Sequence, residues 1–177
     1  TYLGYQPQQP DHLSGEELRY LNTAWLEHYV RHEVCRVLDL PLTATAVGTK
    51  LYREGADWHY RNNEFDVLFL YQHRLHIEEC NTVMRRNRRE TKSIFNQTLY
   101  KLAALKRDFG LNVRVSLLTL SDQLRETKQG VRQPIPDFHL RADLFGIPVI
   151  DQDSLRVGAE VWLPHLLYGS GLAVISD

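Results

Sequence analysis

Apolar residues recur at helical spacing through Leu18, Leu21, Trp25, Leu26, Tyr29, Val30, Val34 and Val37, which predicts an amphipathic helix. Ser14 with Glu17 three residues on forms a capping-box start. Pro41 disfavours helix at the residue before it, so this helix ends near Asp39. The pattern then changes period. Residues 42–52 alternate weakly and are rich in Thr and Val, which predicts a strand. Residues 63–71 read as a second strand, Gln72-His73-Arg74 as a tight turn, and residues 75–80 as the returning strand of a hairpin. Val83 to Glu90 reads as a basic loop. Thr91 to Phe109 is a second helix with Ile94, Phe95, Leu99, Leu102, Leu105 and Phe109 on one face, ended by Gly110.

Beyond it, residues 113–120 form a buried strand. The segment 121–136 is polar, contains Gly130, Pro134 and Pro136, and is expected to be a mobile loop. Residues 137–145 read as a short helix and 146–150 as a last strand. Residues 153–167 read as a helix interrupted near Gly158 and Pro164. The polar, turn-rich residues 1–13 read as a tail or linker, and 14–177 as one domain. The order α-β-β-β-α-β-α-β describes an α/β fold in which a mixed sheet of about five strands is flanked by α-helices.

Composition narrows the class without changing this picture. The chain has 177 residues, 43% hydrophobic and 24% charged, with net charge -1, which is ordinary for a single globular domain. Bulk charge therefore does not drive nucleic-acid binding, although a local basic patch can. Two cysteines, Cys35 and Cys80, cannot build a disulfide framework, so a reducing, cytoplasmic setting is expected. No apolar run approaches the roughly 18 residues of a membrane span, so no membrane partner is expected. The chain starts without Met and reads as a fragment or a processed product.

The chemistry concentrates on the hairpin. Asp66 lies on one strand and Glu78-Glu79 on the next. Strand side chains alternate faces, so only one of the two glutamates shares a face with Asp66. The returning strand is otherwise apolar, and a carboxylate embedded there needs a partner. Two carboxylates converging from adjacent strands suit a hard, oxygen-seeking cation such as Mg²⁺ or Mn²⁺. Such a cation polarises a phosphoryl oxygen and activates water. The alternative is a solvated edge hairpin with scattered charges. Glu64, two residues before Asp66, projects to the same strand face by the period of two, as a further metal ligand or as a charged strand end.

Four segments resemble one family. They are Asn63-Glu64-Phe65-Asp66-Val67-Leu68-Phe69 with Arg74-Leu75-His76-Ile77-Glu78-Glu79-Cys80-Asn81-Thr82, then Tyr20-Leu21-Asn22-Thr23-Ala24-Trp25-Leu26-Glu27, Tyr100-Lys101-Leu102, and Arg141-Ala142-Asp143-Leu144-Phe145-Gly146-Ile147. Together, over residues 18–152, they resemble the DUF1887 nuclease domain of the CARF-associated Can2/Card1-like group, in the PD-(D/E)XK nuclease superfamily. The resemblance implies a restriction-endonuclease-like fold and metal-dependent phosphodiester cleavage of single-stranded RNA or DNA. It also implies a role in CRISPR-linked antiviral defence, a homodimer, and a CARF-type sensor that is upstream or separate.

Carried over by position, Asp66 and Glu79 are the metal-binding pair and Glu27 the outer acidic residue. Gln97 or Tyr100 would face the site or the scissile strand. One position departs from the pattern: Asn81 stands where the family has Lys. Asn can hydrogen-bond a water but carries no charge. Either the site is a degenerate module that binds nucleic acid or a protein partner without cutting, or another cation substitutes. Lys92, Lys101, Arg85 and Arg88 are the candidates.

The remaining features divide between function and packing. Arg85, Arg86, Arg88 and Arg89 follow the active-site strand and suit phosphate contact, with Lys92 beside them; a solvated charge run is the alternative. His28 and His32 have zinc-pair spacing but no further ligand motif, and read as surface histidines. Cys80 and Trp25 read as core. Tyr52, Trp58 and Tyr60 could stack on bases or pack at the rim.

Overall fold

The computed structural model describes residues 20, 24–50, 64–82, 87–110 and 112–173; all structural statements refer to these. Expectations for the residue 1–13 tail, the Ser14 cap, Arg85, Arg86, Tyr52, Trp58 and Tyr60 lie outside them.

Helix α1 (Trp25–Leu38) buries Leu26, Val30 and Val34, spaced four apart, with no residual exposure. It stops where Asp39 turns left-handed, φ 51, before Pro41. A single 3-10 turn, Leu42–Ala44, leads into strand β1 (Thr45–Lys50). Strands β2 (Glu64–Tyr71) and β3 (Arg74–Asn81) form the expected hairpin. Its turn is two residues long: Gln72 and His73 both have positive φ, 50 and 61, which matches the twist of the strands they join. Arg74, expected in the turn, already belongs to β3.

Helix α2 (Arg88–Phe109) starts three residues earlier than its apolar stripe. The side chain of Asn87 accepts the Glu90 N–H at 2.9 Å and caps it. Thr91, Phe95, Leu99, Leu102 and Leu105 are its buried stripe, and Gly110, φ 89, closes it. Strand β4 (Val113–Thr119) follows. The segment 121–136 is not the loop its composition predicts. It holds a 3-10 turn, Asp122–Leu124, and a separate hairpin of β5 (Arg125–Lys128) and β6 (Val131–Pro134). Buried Arg125 anchors that hairpin by bonding Asp151, Ser154 and the carbonyl of Ala173.

Helix α3 (Pro136–Leu144) lies where a short helix was expected, and β7 (Pro148–Ile150) follows it. The interrupted C-terminal helix is two: α4 (Gln152–Arg156) and α5 (Ala159–Tyr168). They break at Gly158, φ 100, whereas α5 runs through Pro164. A two-residue strand, β8 (Gly171–Leu172), completes the sheet.

The sheet has six strands in the order β1-β2-β3-β4-β7-β8. β1, β2 and β3 pair antiparallel; β3, β4, β7 and β8 pair parallel. The fold is the mixed α/β type expected, with one more, very short, strand. Two apolar layers cover it. One carries Phe95, Leu99 and Leu102 of α2 and Phe138 of α3 against Ile77, Val115 and Leu117. The other carries α1 and α5, with Trp162 at its centre, against Val67, Phe69, Leu118 and Ile150. Burying each such Leu or Phe contributes about 1.5–3 kcal/mol, so the sheet is a rigid platform for what its edges carry. No described helix is long and apolar enough to cross a membrane.

Candidate active site

The alternation of β2 breaks at Asp66. Val67 and Phe69 face the α1/α5 layer, as a period of two requires, but Phe65 packs in the α2 layer with Leu68. Cα pairing with β1 runs Val47–Val67 and then Thr49–Phe65. In the gap lie Asp66 and Gly48, the latter at φ 55, a conformation that glycine adopts without strain. Pairing with β3 ends at Val67–Glu78. Beyond it the Asp66 carboxylate itself accepts the Cys80 N–H, at 2.7 Å. That bond fixes Asp66 beside the end of β3.

Glu78 and Glu79 separate as alternation demands. Glu79 lies on the α2 side, where the Lys101 ammonium donates to both of its oxygens, at 2.9 and 2.6 Å. Asp66, Glu79 and Lys101 therefore form one cluster. Burial raises the Asp66 pKa to about 6; the Glu79 carboxylate adds to the rise, and the Cys80 N–H and the Lys101 ammonium oppose it. Negative charge at this point is under-compensated by the protein alone.

Glu78 belongs to the other face. It is 1% exposed, with His76 beside it at 2%. Burial holds Glu78 well above the usual carboxylate range and lowers His76 to about 4, so His76 is neutral near pH 7. The 4.0 Å approach of His76 Nδ1 to Glu78 Oε1 is thus not an ion pair. His76 stacks on Phe69, with ring centres 4.6 Å apart. The sequence reading did not single out this buried pair, although a His and a Glu two apart in an apolar strand are its signal.

The other predicted residues distribute as follows. Asn81, half-buried, ends β3 and lines a narrow cleft with Thr91, Ile94, Phe95 and Thr119; its carbonyl accepts the Leu120 N–H. Glu27, half-buried on α1, brings its charge within range of Cys80. Glu64 is exposed and pairs with Lys50 at 3.3 Å, and its charge still reaches Asp66, adding to the rise in that carboxyl's pKa. Lys92 is held by Asp137 at 2.5 Å and Arg88 by Glu126 at 3.3 Å. Arg89 and Gln97 are exposed, and Tyr100 is 57% exposed with its ring against Phe145. Cys80 packs against the α1/α5 core, and burial with the surrounding carboxylates pushes its thiol well up, so it is an unreactive core thiol. Trp25 packs against the same core, and His28 and His32 are exposed.

Among the described residues no three His, Cys, Asp or Glu side chains stand together as a ready metal cage. Asp66 and Glu79 could still hold Mg²⁺ or Mn²⁺. Mg²⁺ commonly uses one or two carboxylates and takes its remaining oxygens from water and phosphate.

Residues 14–144 match the Card1-like endonuclease domain. The chain belongs to this family. Among solved structures, the crystal structure of protein VC1899 from Vibrio cholerae is 26% identical, with TM-score 0.62, over 89% of this chain and 37% of that one. Can2 from Sulfobacillus thermosulfidooxidans, solved in complex with cyclic tetra-adenylate, is 20% identical, with TM-score 0.52, over 87% of this chain and 35% of that one; it shares the fold. The chain thus spans little more than a third of the length of either. No curated protein matches it. The family match covers α1 through α3, which includes every strand and helix that contributes to the Asp66–Glu79–Lys101 cluster.

Proposed function

We propose that the chain is a divalent-metal-dependent nuclease that hydrolyses phosphodiester bonds of single-stranded RNA or DNA. The observation that carries this reading is the meeting of Asp66 and Glu79 from adjacent strands with a lysine ammonium at the same point. Asp66 and Glu79 hold the Mg²⁺ or Mn²⁺, with Glu27 as the outer acidic residue. Held there, Mg²⁺ or Mn²⁺ would supply charge neutralisation at phosphorus and would lower the pKa of a water. The protein's own part is to fix both carboxylates on a rigid sheet end, with Asn81 placed to hydrogen-bond a water. Hydrolysis forms one P–O bond from water and breaks another, so positive charge near the equatorial oxygens favours it.

Arg88, Arg89 and Lys92, at the start of α2, suit contact with the flanking phosphates, and Gln97 and Tyr100 offer an exposed polar and aromatic surface further along it. The Card1-like family and the fold shared with Can2 support a place in CRISPR-linked defence in the cytoplasm. There the domain works as a homodimer governed by a cyclic-oligoadenylate sensor, upstream in the same protein or separate. The second reading, a module that binds without cutting, rests on Asn81 in place of the family's Lys.

The test is cleavage of labelled single-stranded RNA, single-stranded DNA and supercoiled plasmid with Mn²⁺, Mg²⁺ or EDTA, for the parent chain, Asp66→Ala and Asn81→Lys. Metal-dependent cutting lost in Asp66→Ala supports the nuclease. Cutting by Asn81→Lys alone favours the degenerate module. Silence from all three, with no metal-induced rise in melting temperature, rejects the catalytic reading.

A further inference from the structure

Glu79 is not open in the free protein. The Lys101 ammonium occupies both of its carboxylate oxygens, at 2.9 and 2.6 Å. Those bonds take one lone pair of each oxygen and set a like charge where a divalent cation would approach. Two residues further along β3, on the same side by alternation, the strand offers Asn81 and hence no charge. One place therefore has a cation in the way, and the next lacks one.

We propose that Lys101 is a mobile counter-ion: it guards Glu79 in the free protein and, once Glu79 serves a metal, supplies the positive charge that β3 lacks at Asn81. The proposal rests on the nuclease reading and deepens it. Three observations support the movement. Lys101 is 38% exposed on its side chain and Glu79 20%, so the lysine head has solvent to swing through. Asn81 lies about 7 Å from Glu79 along the strand, within reach of a flexible four-carbon stem with three donors.

The direction is also right. α2 runs back along the sheet from the Asn81 end, where Thr91 and Ile94 line the cleft, to the Glu79 level at Lys101. The other described candidates, Lys92 and Arg88, pair with Asp137 and Glu126 and not with Glu79. As a residue that occupies the Glu79 oxygens, Lys101 is a positioning residue in the free protein; it acts on the substrate only after release.

A lysine with these two roles has opposite effects on binding and on cutting. The test uses the full chain, Lys101→Met, and the double variant Lys101→Met with Asn81→Lys. Mn²⁺ affinity is read by electron paramagnetic resonance, and single-turnover cleavage of labelled single-stranded RNA and DNA is read at saturating Mn²⁺. Lys101→Met is expected to bind Mn²⁺ about two- to fivefold tighter and to cut about 100-fold more slowly. Adding Asn81→Lys is expected to restore at least about tenfold of that rate.

Weaker Mn²⁺ binding together with slower cutting would assign Lys101 a merely structural role and overturn the proposal. So would unchanged cutting in Lys101→Met, or no recovery in the double variant. A parent chain that never cuts overturns the nuclease reading on its own; the counter-ion half then stands on tighter Mn²⁺ binding by Lys101→Met and falls without it. Matching urea midpoints for the three proteins keep the comparison free of unfolding.

Discussion

Replacing Asp66 by Asn should stabilise the metal-free protein near neutral pH while removing a metal ligand. Asp66 is held at a pKa of about 6 against an ordinary 3.8, chiefly by burial and then by the Glu79 carboxylate. A raised folded-state pKa means that the native protein grips the proton more tightly than the unfolded chain does. The stability this confers is complete below about pH 4 and is lost as pH rises through about 6. At about 1.4 kcal/mol per pH unit, ionised Asp66 costs the fold about 3 kcal/mol at pH 7.5, an upper figure. Asn cannot ionise, and its side-chain carbonyl can still accept the Cys80 N–H that Asp66 accepts at 2.7 Å.

The assay is urea unfolding in EDTA between pH 4 and 8, followed by fluorescence of buried Trp162, which is 1% exposed. The stability of Asp66→Asn minus that of the parent should be near zero at pH 4 and should grow to about 2–3 kcal/mol by pH 7.5. Taking the difference cancels groups that titrate in both proteins, such as His76, whose lowered pKa makes stability fall as pH drops from 6.5 through about 4. A difference that is flat with pH, or an Asn variant less stable at pH 7.5, would refute the argument that Asp66 is buried beside the Glu79 carboxylate. Saturating Mg²⁺ should stabilise the parent and leave Asp66→Asn nearly unmoved.

Other outcomes follow from the same structure. Asp151→Ala takes from Arg125, whose side chain is 3% exposed, the carboxylate it hydrogen-bonds and leaves only that of Asp153 at 3.7 Å; urea unfolding should show a loss of about 3 kcal/mol, whereas replacing both Arg125 and Asp151 by apolar residues should lose far less. Arg89→Ala should weaken single-stranded RNA binding, measured by fluorescence anisotropy in EDTA, and should lower the slope of log affinity against log salt by about 0.7. An unchanged slope would remove Arg89 from the nucleic-acid path.

Much of the fold is legible in the chain because its central elements are long and strongly patterned. The β2–β3 hairpin and the α2 stripe follow from local period and turn chemistry alone. So does the separation of Glu78 from Glu79, which needs only the pleat of a strand. The start of α2 at Arg88 was also readable, since Asn87 with Glu90 three residues on is a capping signal that the surrounding arginines mask. The β5–β6 hairpin was not. Its strands are four residues long, polar and largely exposed, so they carry no alternation, and the clamp that holds them joins Arg125 to Asp151 across 26 residues. The break in β2 escaped for a different reason. Nothing in Glu64-Phe65-Asp66 marks it; the signal is Gly48 on the neighbouring strand, and it means something only once the register is known.

The candidate site divides the same way. Asp66 and Glu79 were identifiable as carboxylates that an apolar strand pair would not otherwise tolerate. Lys101 could be listed with Lys92, Arg85 and Arg88 as a source of missing charge, but a helix surface does not say which of its cations faces the strand. The fold shows that Lys101 is the one that meets Glu79 among the described candidates.

The central claim is that Asp66 and Glu79 form a metal-dependent phosphodiesterase centre. The most direct measurement is the single-turnover cleavage rate of labelled single-stranded RNA and DNA by the parent chain and by Glu79→Gln, across a Mn²⁺ titration that starts in EDTA. The account predicts no cutting in EDTA, a rate that rises and saturates with Mn²⁺, and a loss of about 100-fold or more in Glu79→Gln. Cutting that persists in EDTA, or that survives in Glu79→Gln, would contradict it.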